Sequence, residues 1–267
     1  MRRPIRFAVI GVLAGLTLAC GAFGTTSDPP AVPADAASSE LDAAADGGGN
    51  GGGGGDSRPD GATVLDAGSC TALLDEDFSA GLGAFGNAKT KPPMGSKIEA
   101  SNGYLVATAV PPDAEAEVSK PFPDGLASGT FIVEYVMRVT QHPYNWETSI
   151  AGCAVELDSG AEFRIKLTQS NNLEWERRET NGERAQVQIG QGPSVPTTFT
   201  YRMELTRSQN TTVTAQLFVN GVAPGAPLSV KTTSTSPTVK CGIDTAQGSG
   251  TEPLIRAIDW VKVRRCF

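Results

Sequence analysis

Apolar and polar residues alternate with a period of two through most of the chain. In TFIVEYVMRV every second residue from Phe131 to Val139 is apolar, and TYRMEL repeats the pattern from Tyr201 to Leu205. Successive side chains of a strand point to opposite faces of a sheet, so this period predicts β-strands with one buried face. Asn-Gly, Ser-Gly and Asn-Asn pairs separate such segments, and no long helical pattern occurs. An all-β fold of two packed antiparallel sheets, a β-sandwich, is therefore predicted for residues 70–267.

Residues 1–19 form a predicted signal peptide, because three arginines precede an apolar run that is too short to span a bilayer. The run ends in LACG at 18–21, which resembles the lipobox of bacterial lipoproteins. The resemblance implies that Cys20 becomes the lipidated N-terminus and anchors the protein in membrane lipid. Since Gly21 rather than Asp follows this cysteine, the resemblance also implies the outer membrane, on its periplasmic side or at the cell surface.

Residues 20–69 cannot build a core. They contain Pro-Ala-Asp stretches and the run GGGNGGGGG at 47–55, with hardly any large apolar side chain. Such a composition predicts a disordered tether between the lipidated cysteine and the folded domain. Most of the net negative charge lies in this tether, and the chain has no basic footprint that would predict nucleic-acid binding.

Four cysteines remain once Cys20 carries lipid, which is an even number in an exported protein. Four cysteines allow three connectivities. Cys70 and Cys266 bracket the domain, so a sandwich whose first and last strands are neighbours would bring them together. Cys153 and Cys241 each share a strand face with apolar residues, which predicts a bond between them in the core.

Three stretches resemble the concanavalin A-like lectin and glucanase superfamily, the LamG-like jelly rolls. They are LLDEDFSAGLGAF at 73–85, YRMELTRSQNTTVTAQLFVNGV at 201–222 and IDWVKVRR at 258–265. The resemblance implies the jelly-roll form of the sandwich. It does not fix the function, which has to be argued from a site.

The stretch AVELDSGAEF contains acids that invite comparison with laminarinase-like members of that superfamily, which carry two glutamates and an aspartate on one strand. Here three residues separate Asp158 from Glu162, so the spacing does not match. A three-residue turn at 158–160 instead predicts a hairpin in which Val155 faces Phe163 in the core. The same register sets Glu156 opposite Glu162 on the outer face.

Arg164 and Lys166 alternate onto the outer face beside Glu156 and Glu162, where they offset the repulsion between the two acids. We therefore expect both carboxyls to be exposed, to titrate near the ordinary glutamate value and to have no catalytic role. A cation site and the acid pair of a glycoside hydrolase are the alternatives.

A second candidate site is QHPYNWET, in a turn-rich link between two strands. Tyr144 and Trp146 offer rings on which a pyranose can pack, and Asn145 and Glu147 offer groups that bond hydroxyls. These four residues are ligand-binding candidates, and the interpretation that we favour over binding is that the rings tuck under the loop and anchor it.

No cofactor is predicted. The cysteine spacing does not fit a zinc site. The acidic cluster Asp75, Glu76 and Asp77 has the oxygen ligands that calcium uses, but we favour a solvated entry into a strand over a calcium site.

These observations predict a lipid-anchored envelope protein whose concanavalin A-like domain binds a polysaccharide or a protein partner without catalysis. The alternatives are a divergent laminarinase-like glycoside hydrolase and a structural surface domain without a small ligand.

The anchor generates the first testable prediction. Replacing Cys20 by Ser removes the atom that would carry the lipid, so the protein should move from the detergent-soluble membrane fraction into the aqueous fraction. Phase partitioning in detergent measures this directly. A variant that partitions as the parent does would exclude lipidation at Cys20.

Overall fold

The computed structural model describes residues 69–91, 96–110, 114–141, 146–147, 150–158, 160–168, 170, 172–191, 197–208, 211–248 and 252–267. These residues form strands and turns and, within the described ranges, no helix. In chain order the strands are β1 (Cys70–Glu76), β2 (Asn87–Lys91), β3 (Lys97–Ser101), β4 (Tyr104–Ala109), β5 (Ala114–Pro121), β6 (Thr130–Gln141), β7 (Trp146–Glu147), β8 (Ile150–Asp158), β9 (Ala161–Leu167), β10 (Asn172–Arg178), β11 (Arg184–Gln191), β12 (Thr197–Ser208), β13 (Thr212–Val219), β14 (Leu228–Lys231), β15 (Thr238–Gly248) and β16 (Leu254–Cys266).

The strands form two antiparallel sheets. Sheet A has the order β14-β13-β12-β6-β16-β4-β3, with β1 paired to the C-terminal half of β16. Sheet B has the order β11-β10-β9-β8-β15-β5-β2, with β7 paired to the end of β15. The predicted two-sheet β-sandwich is confirmed. Among the described residues no helix is long and apolar enough to cross a membrane.

The core lies between the sheets and is built from alternate residues of the strands, as the period of two predicts. Tyr135 of β6 stacks on Tyr201 of β12 with ring centroids 5.1 Å apart. Phe163 of β9 stacks on Trp175 of β10 at 5.9 Å. All four rings are buried, so each sheet contributes an aromatic pair to the centre of the sandwich.

Both disulfides expected from the sequence are present. Cys70 is bonded to Cys266 where β1 pairs with β16, and Cys153 is bonded to Cys241 where β8 pairs with β15. The terminal bond closes a loop across a sequence separation of 196. On the chain-entropy model such a loop stabilises the fold by about 5 kcal/mol. Two disulfides indicate an oxidising compartment, such as the periplasm or the cell exterior.

The hairpin of β8 and β9 has the expected register in its body. Val155 pairs with Phe163, and Glu156 pairs with Glu162. The turn is different from the predicted one, because β8 continues to Asp158 and the register shifts between Glu156 and Asp158. This shift is a β-bulge, which keeps the core residues of both strands facing inward. The connection between β8 and β9 is shorter than the predicted three-residue turn.

Asp158 explains why β8 extends to the turn. Its Oδ1 accepts a hydrogen bond from the Thr180 hydroxyl at 3.1 Å, and its Oδ2 accepts one from the Thr232 hydroxyl at 2.9 Å. The carboxylate thus ties the β8–β9 turn to the β10–β11 turn and to the segment after β14. A side chain held from two sides fixes the last residue of the strand.

Two paired glycines interrupt the side-chain pattern of sheet B. Gly152 of β8 is the partner of Gly242 of β15, and both have positive φ values, 128° and 131°. A Cβ on Gly152 would lie 2.7 Å from Cε2 of Tyr135, and a Cβ on Gly242 would lie 2.2 Å from the backbone oxygen of Ala116. Only glycine satisfies both the backbone conformation and the close approach.

The glycine pair generates the second prediction. Gly152→Ala should lower the free energy of unfolding by about 1–3 kcal/mol more than Gly182→Ala, because only the first adds overlap in the core. Gly182 is the control, since its φ is also positive, 84°, but a Cβ there would meet nothing within 4 Å. Urea denaturation of both variants measures the difference, and equal losses would contradict the packing argument.

Candidate functional site

The outer face of sheet B carries two cross-strand rows of polar side chains. Core residues of β8, β9, β10 and β15 alternate with them, so the rows face away from the sandwich interior. The first row, from β15 to β11, is Thr238, Glu156, Glu162, Arg178 and Arg184. The second row, over the same strands, is Lys240, Ala154, Arg164, Glu176 and Gln186.

A buried ionic network joins the rows. The Arg164 guanidinium donates to Glu162 through Nη1 and to Glu176 through Nη2, and its Nε lies 2.9 Å from Oε1 of Glu176. The side chains of Arg164, Glu162 and Glu176 are 2%, 7% and 0% exposed. One cation therefore binds two buried carboxylates. Glu176 Oε2 accepts no hydrogen bond from the described residues. We call these three residues the arginine network.

Glu162 has a raised pKa. Burial raises it, Arg164 and Lys240 lower it, and the neighbouring carboxylates of Asp244 and Glu156 raise it further. Because burial outweighs the two cations, the neutral acid is favoured relative to an exposed glutamate. The arrangement suits a proton donor.

The expectation that Glu162 is exposed and titrates near the ordinary value was wrong. The alternation of residues along β9 placed Glu162 on the correct face. It contained no information on β10, which brings Glu176 into contact with Arg164. Arg164 is therefore shared between two acids, and all three side chains are withdrawn from solvent.

Glu156 has a different environment although it is the direct cross-strand partner of Glu162. Its Oε2 lies 2.8 Å from Nζ of Lys240, and its side chain is 26% exposed. It borders an open depression of about 370 Å³ that is also lined by Leu157, Asp158, Ser236 and Thr238. A ligand in this depression reaches Glu156 first, with Glu162 beside it.

Lys240 holds a central position among the acids of this face. Burial lowers its pKa, but the hydrogen bond to Glu156 and the charges of Glu156, Glu117 and Glu162 raise it, and the net direction is upward. The ammonium is thus held in its charged form by the carboxylates around it.

Glu117 on β5 is a further buried acid of the same face. Burial raises its pKa, opposed by Lys240 and Lys89 and assisted by Asp244 and Glu115. Lys89 Nζ lies 3.7 Å from its Oε1 and 2.8 Å from Glu115 Oε2. Glu117 is three strands away from Glu162 in sheet B, which is about 14 Å across the sheet, so it is not part of the acid pair.

The second candidate site of the sequence lies elsewhere. Trp146 and Glu147 form β7, which pairs with Gly248 and Gln247 of β15. Gln247 is nine residues beyond Thr238, a distance of about 30 Å along an extended strand. The structure does not bring these residues to the acid pair. Tyr144 and Asn145 lie outside the described residues.

The acidic cluster at the end of β1 stabilises the turn that follows it. Glu76 accepts hydrogen bonds from the backbone N–H groups of Phe78 and Ala84, at 3.2 and 2.9 Å, and Asp77 accepts from the N–H and hydroxyl of Ser79. Asp75 Oδ1 is 4.0 Å from Lys262 Nζ. Over the described part of the chain, no group of three or more His, Cys, Asp or Glu side chains is placed to hold a metal ion.

Sequence reasoning missed Lys240, Glu176, Arg178 and Arg184. In NLEWERRE the residues Glu174, Glu176 and Arg178 alternate with Trp175, so their face could be read from the sequence. Their partners could not, because the pairing of β9 with β10 and of β10 with β11 depends on register.

No protein-family model matches the sequence, and no curated protein sequence matches it. Solved structures do resemble the fold. The endo-β-1,4-glucuronan lyase of the fungus Trichoderma reesei has a TM-score of 0.53 at 12% identity, over 74% of this chain and 97% of the lyase. An alginate lyase mutant in complex with an alginate tetrasaccharide has a TM-score of 0.50 at 13% identity, over 74% and 97% of the two chains.

A third similar structure is an endo-β-galactosidase of Clostridium perfringens that releases GlcNAcα1-4Gal, with a TM-score of 0.51 at 10% identity. The match covers 75% of this chain and 64% of the galactosidase. At such identities the likeness describes the fold: this chain has the jelly-roll sandwich of these polysaccharide lyases and glycoside hydrolases.

The expectation of a non-catalytic domain is contradicted by these comparisons. The three structures named above are enzymes that cleave carbohydrates. The buried acid with a raised pKa, which the sequence argument had excluded, points in the same direction.

The arginine network generates the third prediction. Arg164→Met leaves two buried carboxylates without a cation and should lower the free energy of unfolding by about 3–5 kcal/mol at neutral pH. Removing Arg164 also removes a charge that lowers the pKa of Glu162. The loss should therefore shrink as the pH falls and Glu162 takes up a proton.

The control is Lys97→Met, because Lys97 and its partner Glu99 are both exposed to water. That variant should lose no more than about 1 kcal/mol. Denaturant unfolding between acidic and neutral pH measures both variants. A pH-independent loss in Arg164→Met, or equal losses in the two variants, would contradict the buried-charge argument.

Proposed function

We propose that this protein is an exported, lipid-anchored enzyme that hydrolyses a polysaccharide on the outer face of sheet B, with Glu156 and Glu162 as its acid pair. The observation that carries the proposal is the pairing itself: two glutamates are direct cross-strand partners, and their environments differ. Pairs of acids whose environments separate their pKa values are how one site supplies both an acid and a base or nucleophile.

Glu162 is the general acid. Its burial raises its pKa, so a larger fraction stays protonated near neutrality than in an exposed glutamate. In glycoside hydrolysis the acid delivers this proton to the glycosidic oxygen as the bond to the anomeric carbon breaks. Arg164 orients the carboxyl through its bond to Glu162 and is itself fixed by Glu176.

Glu156 is the carboxylate that attacks the anomeric carbon or activates water. It borders the open depression, and its Oε2 lies 2.8 Å from the Lys240 ammonium. Directly opposed residues in antiparallel strands have Cβ atoms about 4.5–5.5 Å apart. That spacing is compatible with the roughly 5 Å between carboxyls in retaining enzymes, so we expect a covalent intermediate on Glu156 and retention of configuration.

The fold supports a carbohydrate substrate. The similar structures include a lyase for glucuronan, a lyase studied with an alginate tetrasaccharide and an endo-β-galactosidase. The depression beside Glu156 is also lined by Ser236 and Thr238, whose hydroxyl groups are suited to hydrogen bonds with sugar hydroxyls. A tether from Cys20 would keep the domain at the membrane while it works on glycans nearby.

The fourth prediction tests catalysis. The purified protein is incubated with laminarin, glucuronan and alginate, and new reducing ends are measured. Glu162→Gln and Glu156→Gln should each lower kcat by at least about 100-fold on the polysaccharide that is cleaved. Glu174→Gln is the control, since Glu174 shares the outer face of β10 but belongs to neither polar row, and it should keep the parental rate.

The pH profile follows from the raised pKa of Glu162. Its acid form is the active one, so the rate is present below this pKa and is lost as the pH rises through it, at a higher pH than for an exposed glutamate. The chemical structure of the product distinguishes hydrolysis from a lyase reaction. An unsaturated, ultraviolet-absorbing sugar would identify a lyase and refute hydrolysis, and unchanged turnover in Glu162→Gln would exclude that residue as the acid.

A further inference from the structure

Two arginines extend the row that contains the acid pair. Arg178 of β10 is the register partner of Glu162, and Arg184 of β11 is the register partner of Arg178. Strands in a sheet lie about 4.8 Å apart, so the two arginines begin about 5 and 10 Å from Glu162 across the sheet. Arg184 is exposed and Arg178 is half-buried.

Neither arginine is neutralised. In the part of the chain that the structure describes, neither makes an ion pair or hydrogen bond, and Nε of Arg178 is buried without a partner. Three other cations of this face do contact acids: Lys89 contacts Glu115, Arg164 contacts Glu162 and Glu176, and Lys240 contacts Glu156.

Like charges placed directly opposite each other on neighbouring strands destabilise a sheet. Arg178 and Arg184 face each other in this way on β10 and on the edge strand β11 of sheet B. Their repulsion is relieved when an anion binds between them. Guanidinium groups match the geometry of carboxylate and sulfate oxygens, which they bind with two parallel hydrogen bonds.

We propose that Arg178 and Arg184 form a subsite for an anionic group, a carboxylate or a sulfate ester, on the sugar next to the bond that Glu156 and Glu162 cleave. The inference rests on the proposed function, because it takes the acid pair as the place of cleavage. The substrate is then an acidic polysaccharide whose chain runs across the strands, from the depression beside Glu156 to β11.

Gln186 supports this path. It is the β11 partner of Glu176, lies one row from Arg184 on the same outer face and is exposed. Its amide can donate to and accept from sugar hydroxyls while the arginines hold the charged group. Buried acids lie at the middle of the face and uncompensated cations lie at its β11 edge, so an anionic sugar is attracted to the edge and its neighbour reaches the acid pair.

The fifth prediction uses three matched oligosaccharides of equal length: β-1,4-linked oligoglucuronate, its carboxyl-reduced neutral form, and that neutral form carrying sulfate esters. Binding is measured by calorimetry on the full-length Glu162→Gln variant, so that turnover does not consume the ligand. In this background Arg178→Gln and Arg184→Gln should each weaken binding of the anionic ligand roughly ten- to hundred-fold. The neutral ligand should be unaffected, and anionic binding should fall with added salt.

Arg138→Gln is the matched control, because Arg138 is an exposed strand arginine on sheet A and makes no ion pair with the described residues. It should leave the affinity unchanged. Arg178→Lys retains the charge but cannot form bidentate hydrogen bonds with the anion. Its affinity for the anionic ligand should therefore lie between those of Arg178→Gln and the parent.

Arginine-dependent binding of oligoglucuronate identifies a carboxylate, and arginine-dependent binding of the sulfated ligand identifies a sulfate ester. Either result supports the subsite. The subsite proposal is overturned by any of three results. These are equal affinity for anionic and neutral ligands, no binding of any of the three ligands, and unchanged affinity in both glutamine variants. Arginine-dependent binding without cleavage in the parental protein would refute the proposed hydrolysis and leave the subsite standing, so the two failures are distinguishable.

Discussion

The register between β8 and its two neighbours decides what the outer face of sheet B can do. Cys153 and Cys241 are bonded across the β8–β15 pair, and Val155 faces Phe163 across the β8–β9 pair. Once these apolar and disulfide contacts are fixed in the core, the intervening residues have no choice of face. A slip of one residue would bury the acids and expose the core, so core packing and site geometry are the same constraint.

Burial on an outward face is the unusual property of this sheet. A strand residue that points away from the core is normally solvated, yet Glu162, Arg164 and Glu176 are almost entirely buried. Replacing such a network by apolar residues of similar volume is often neutral or stabilising. Stability alone therefore does not account for three buried charged groups beside an open depression.

The sequence was sufficient for the layers of the fold and insufficient for the environment of its acids. The period of two predicted the sandwich, and the parity of Val155 and Phe163 predicted that Glu156 faces Glu162. The predicted exposure of Glu162 was wrong, because the side chains around it come from β10 and β15. The register of these strands follows from turns and bulges spread over the domain. Local alternation shows which face a side chain occupies, but its pKa depends on every strand that reaches that face.

The acid pair and the two unpaired arginines are one arrangement, because they occupy the same cross-strand row. Natural sequences tend to agree with their fold at every level, and departures collect where function requires them. Here the departures are a buried acid with a raised pKa and two adjacent arginines that make no ion pair with the described residues, and the register places them on successive strands. A ligand that accepts a proton at one sugar and carries negative charge on the next would relieve both. The row therefore restricts the proposed ligand more narrowly than the fold does, since the same sandwich occurs in several carbohydrate-cleaving enzymes.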